Sequence, residues 1–254
     1  MRRLVVSLIV ISLVFTLLLC AIGPVSAAKP ATPSVRQVIL GDYAAKGGPP
    51  SSPRGGSKVY DYYLLIGPEW NLSKYDDGVP YVICRAGAPD GADAEIVAAF
   101  ESWDDVTTGE LFLDSPTYSD NSGTLGDYIN NVSWEVMPDP MSGAIAISWI
   151  SYYDWDNSGG PSAGDEMLEM DIMFNAALSW GIDRDGESKA YTVRQAYDIR
   201  NIAAHEVGHM VGLDDLYAKT YSELTMYGYG TKGETKKISL EIGDINGTRA
   251  LYDS

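Results

Sequence analysis

The only two histidines of this 254-residue chain stand four apart, in His205-Glu206-Val207-Gly208-His209. Four residues is just over one helical turn, so on a helix both imidazoles leave one face and point to one place. A tetrahedral zinc site uses such a pair. Glu206, beside the first ring, can reach a water held there and take its proton. A bare motif of this kind also arises by chance. Two facts weigh against chance here: no histidine lies elsewhere, and the run continues as Met210-Val211-Gly212-Leu213-Asp214-Asp215. Asp198 suits the helix N-cap and Gly212 its C-terminus, so the spacing predicts a helix between them.

Around this helix the pattern reads as an α+β domain over residues 59–254. Tyr60–Ile66, Val79–Cys84, Val132–Val136, Ala144–Ser151 and Leu168–Phe174 read as strands, the last two as a hairpin. In the last, Glu169 and Asp171 fall on the face opposite Leu168, Met170, Ile172 and Phe174. Ala92–Trp103 reads as an amphipathic helix with Ile96, Phe100 and Trp103 on one face, and Leu240–Tyr252 as a closing helix.

The first 27 residues read as a secretory signal. Arg2 and Arg3 precede an apolar run from Leu4 to about Ile22, and Val25-Ser26-Ala27 supplies small residues for cleavage. A secreted or extracellular protein is expected, free or held at the cell surface, with no stable membrane insertion after signal cleavage. Residues 28–58 are rich in Pro, Gly, Ser and Ala and read as a linker or short pro-segment. The formal net charge of −17 becomes more negative once Arg2 and Arg3 are lost, which argues against nucleic acid as a partner. Past the signal only Cys84 remains, so no intramolecular disulfide can form. Cys84 precedes Arg85-Ala86-Gly87-Ala88-Pro89-Asp90, a context like a latency switch, but its surroundings read as strand and favour a plain strand or strand-end cysteine.

The extended run resembles the signature of the metzincin zinc peptidases, His-Glu-x-x-His-x-x-Gly-x-x-His/Asp. The resemblance implies a zincin fold, a twisted mixed sheet with three helices, and a zinc-dependent endopeptidase acting on protein or peptide substrates. It implies His205, His209 and Asp215 as zinc ligands, with Asp214 the rival for the third place, and Glu206 as the general base. An aspartate in that place occurs in a minority of the family such as the snapalysins. Leu224-Thr225-Met226-Tyr227-Gly228-Tyr229 resembles the methionine turn beneath the metal, with Met226 as its floor. Gly228 stands where some members place a tyrosine ligand. Residues 83–112 and 240–252 resemble the first strand and helix and the closing helix of the matrixin branch. The resemblance further implies that the strand holding Ala144, Ile145, Ala146 and Ile147 edges the cleft and pairs with substrate backbone.

Asp154, Asp156, Ser158 and Asp165 fall at positions spaced as in calcium loops, and a polar hairpin turn fits the same residues. The acidic balance and this loop leave a second functional class open, an exported non-catalytic metal- or calcium-binding surface module retaining the fold.

Overall fold

The computed structural model describes residues 32–44, 59–137, 139, 141–184, 186–187 and 194–253. The signal segment lies outside them. Among them, no helix is long and apolar enough to cross a membrane.

In chain order the elements are β1 (Ser34–Ala44), β2 (Val82–Cys84), α1 (Ala92–Asp104), β3 (Thr117–Ser119), β4 (Asn131–Glu135), β5 (Ala144–Asp154), β6 (Glu166–Asn175), β7 (Trp180–Gly181), β8 (Tyr197–Asp198), α2 (Ile199–Val211), β9 (Tyr229–Gly230) and α3 (Ile242–Tyr252). Seven strands form one mixed sheet in the order β3-β2-β4-β6-β5-β1-β9, and β7 pairs with β8. β3, β2, β4 and β6 run parallel, and β5 is antiparallel to both β6 and β1. Three α-helices and this mixed sheet make the α+β, zincin-like fold that the sequence predicts.

Three expectations change. Residues 34–44, inside the segment read as linker or pro-segment, form an eleven-residue strand paired with β5 from Ser34↔Asp154 to Tyr43↔Ala144. The strand expected to edge the cleft therefore has neighbours on both sides, and Ala144–Ile147 offers no free edge. The stretch 60–66 makes only an isolated bridge, Leu65↔Leu213, instead of a strand. β6 is buried on both faces. Glu169 accepts from the amides of Gly126, Asp127 and Tyr128, and Asp171 from Asn131, so the buried acids hold the 126–131 loop.

α1 and α2 pack against one another, with Ile96, Phe100 and Trp103 in the core. Trp103 Nε1 donates to the Ala204 carbonyl at 2.9 Å, and Trp70 Nε1 to that of Met210 at 2.7 Å, so both indoles satisfy their donors on α2. The close approach of α2 to its neighbours depends on Gly208. A Cβ there would lie 2.2 Å from Met226 Sδ and 2.7 Å from Trp103 Cζ2. Gly208→Ala should lower stability by about 2 kcal/mol, and Tm by roughly 6 °C, through overpacking. Gly109→Ala, where a Cβ meets nothing within 4 Å, should leave the thermal melt unchanged.

Candidate metal centre

α2 begins as its sequence dictates. The Asp198 side chain accepts from the Asn201 amide at 2.8 Å and caps the helix. It ends at Gly212, whose φ of 116° places it in the left-handed region that glycine adopts without strain. The chain reverses there, and the Leu213 carbonyl accepts from His209 Nδ1 at 2.8 Å. His205 Nδ1 makes the equivalent bond to the Thr225 carbonyl at 2.8 Å. Both rings thus carry their proton on Nδ1 and present the Nε2 lone pair inward, the tautomer a ligand needs.

The reversal brings Asp215 to the same point. Its Oδ1 lies 3.3 Å from His205 Nε2 and 3.8 Å from His209 Nε2. Two donors on a tetrahedral zinc with bonds of about 2.0–2.1 Å stand roughly 3.3 Å apart, so the trio fits that ion. All three residues are buried, and they form a group that could hold a metal ion. His205 Nε2, His209 Nε2, Asp215 Oδ1 and Glu206 Oε1 are buried with no hydrogen-bond partner among the described residues. Three such atoms converging in one place, with a fourth on the residue next to His205, are costly unless something supplies their missing partner. Asp214 turns elsewhere: its Oδ1 accepts from the Asp215 amide at 2.8 Å.

Electrostatics separate the roles. Burial pushes the Glu206 carboxyl up to about 7, while Ser148 Oγ donates to its Oε2 at 2.6 Å. Burial brings His209 down to about 4, so this imidazole is neutral at pH 7. Burial opposes the charged form of Asp215, but the two histidines and the Tyr217 hydroxyl outweigh it and draw the carboxyl down to about 2. That hydroxyl donates to Asp215 Oδ2 at 2.8 Å, leaving Oδ1 for the centre.

Met226 is buried under α2 in a turn tied from the far end of the chain. The Asp244 carboxylate accepts from the amides of Thr225 and Met226, and the same residue closes the capping box of α3 with Glu241. At Gly228 a Cβ would lie 2.5 Å from Asp215 Oδ1, so this position leaves room for the ligand carboxylate.

Sequence reasoning missed Ser148, Tyr217 and Asp244. Ser148 lies in an apolar strand and Tyr217 past the motif, and no local pattern marks either. A capping signal at Glu241 and Asp244 could have found the third. Cys84 is buried in β2 with its thiol toward Asn131 Oδ1, outside the metal-competent groups. Asp154, Asp156 and Asp165 also converge, but each carboxylate already accepts from its own loop: Asp154 from Ser158 and Gly159, Asp156 from Ser158 and Ser162, Asp165 from Trp155 and Ser162. Ser158 takes part as a donor to Gly160 O and through its amide.

The matrixin family model matches residues 148–253, from the middle of β5 to the end of α3. Metalloendoproteinase 2-MMP of Arabidopsis thaliana is 28% identical over 154 residues, 61% of this chain and 35% of its own length. The hatching enzyme of Paracentrotus lividus is 29% identical over 128 residues, 50% of this chain and 21% of its own. Metalloendoproteinase 1 of Glycine max is 34% identical over 70 residues, 26% of this chain and 21% of its own. The chain thus spans about a third or less of the length of these relatives.

Asp215→Ala should reduce zinc affinity by at least about 100-fold, because it removes a ligand outright. Asp214→Ala should retain one zinc per chain by metal analysis after dialysis. The reverse pattern would reassign the third ligand.

Proposed function

We propose that this chain, which carries a matrixin-like metzincin catalytic domain, is a secreted zinc-dependent endopeptidase with His205, His209 and Asp215 as its metal ligands and Glu206 as its general base. The single observation that carries the reading is the convergence of three buried donor atoms without partners beside the partnerless Oε1 of Glu206. The names of the relatives, metalloendoproteinases among them, support it.

Zinc, when bound, supplies Lewis-acid polarisation of the scissile carbonyl and makes water easier to deprotonate. The chain supplies the proton path. Ser148 holds one oxygen of Glu206 and leaves Oε1 without a protein partner, available to accept a proton from the attacking water and return it to the departing amine. A carboxyl raised to about 7 can do both near neutral pH. Tyr217 keeps Asp215 Oδ2 occupied and the ligand oriented. Export follows from the Arg2-Arg3 start, the apolar run and the Ala27 cleavage position, with residues 28–58 as a linker or short pro-segment.

Glu206→Gln should keep zinc at wild-type stoichiometry and lose casein hydrolysis by roughly 100- to 10,000-fold. A zinc-loaded wild type that cleaves neither casein nor its own N-terminal segment would instead favour the non-catalytic module.

A further inference from the structure

β1 is the chain's N-terminal described strand, and it lies second from one edge of the sheet, with β5 on one side and, over its last two residues, β9 on the other. It runs antiparallel to β5 along ten residue pairs, and its end, Tyr43 and Ala44, runs parallel to Tyr229 and Gly230 just past the methionine turn. An extended peptide adding itself to a sheet edge makes contacts of this kind. The strand reaches the metal centre at its C-terminal end. Asp42 pairs with Ala146, two residues before the Ser148 that holds Glu206, and α2 packs against β1.

Asp42 is fully buried. Its Oδ2 accepts from Lys237 Nζ at 3.0 Å, and both side chains are 0% exposed. Its Oδ1 has no partner among the described residues. Gly230 makes room for the carboxylate: a Cβ there would lie 2.8 Å from Asp42 Oδ2. Lys237 is fixed independently of β1. Its amide donates to Asn201 Oδ1 on α2 at 2.8 Å, and its carbonyl accepts from Thr225 Oγ1 at 3.3 Å. Removing β1 would therefore leave a buried ammonium, held by the catalytic scaffold, facing an open strand edge. A buried cation needs an anion.

We propose that β1 lies in the catalytic cleft as a bound peptide does, and that Lys237 is the specificity-determining residue that reads an acidic side chain where Asp42 now sits. The peptides this enzyme takes then carry Asp or Glu at that position, and the chain's own strand competes with them. The inference rests on the endopeptidase reading.

The test uses the full zinc-loaded chain and a synthetic peptide library, with products read by mass spectrometry. Wild type should enrich Asp and Glu at one fixed position relative to the cleaved bond. Lys237→Met should cut the kcat/KM ratio of an acidic peptide over its leucine counterpart by roughly 100-fold, since the acid then enters a site with no partner. Asp42→Ala leaves Lys237 in place. It should keep the acidic preference and raise hydrogen exchange across residues 35–43 by roughly 100-fold as the buried pair is lost. Should Lys237→Met fail to fold, the wild-type library and the Asp42→Ala exchange decide. Cleavage without acidic enrichment, an unchanged preference in folded Lys237→Met, or unchanged exchange in Asp42→Ala would each overturn this inference alone. No cleavage of any peptide by wild type and Asp42→Ala would overturn the functional reading and this inference with it.

Discussion

The hydrogen bond from His205 Nδ1 to the Thr225 carbonyl couples the helix that carries the site to the turn that supports it. An imidazole can offer a lone pair from only one nitrogen while the other holds the proton, so this bond decides which nitrogen faces the centre. The carbonyl is itself held in place. Asp244 anchors the amides of Thr225 and Met226 from the first turn of α3, and it is buried almost completely. Met226 then fills the space that Gly208 leaves on α2. Helix, turn and closing helix thus fix one ring, and the reversal after Gly212 fixes the other through Leu213.

Convergence of partnerless atoms has an energetic meaning. Each buried donor or acceptor without a partner costs about 1–3 kcal/mol, and three converge here. A fold keeps such a cluster where binding returns the cost, and an ion that binds only the folded chain does so. The charge pattern agrees. Two imidazoles and one carboxylate give a site with one negative ligand, and Lys237 balances the further acid, Asp42, that β1 brings in.

The site was legible where its residues are close in sequence. The spacing of His205 and His209 shows in any helical reading, Asp198 and Gly212 mark the ends of α2 by their capping chemistry, and Asp215 follows from the family signature. The sheet core was legible in the same way, because β4, β5 and β6 carry strand-like runs of β-branched and aromatic residues. β1 was not. Its residues sit in a stretch dominated by Pro, Gly and Ser, and its partner strand lies more than a hundred positions on, so no local signal reports the pairing. The same distance hid the Asp42–Lys237 pair, 195 residues apart. The burial of Glu169 and Asp171 depends on a returning loop that offers them amides, which the alternation of β6 does not report.

The central claim is that two imidazoles and the Asp215 carboxylate hold one zinc ion. Anomalous diffraction at the zinc absorption edge on crystals of the zinc-loaded chain tests it most directly. The account predicts a single strong peak within about 2.0–2.2 Å of His205 Nε2, His209 Nε2 and Asp215 Oδ1. A peak ligated by Asp214 in place of Asp215, or one away from the two histidines, would contradict it.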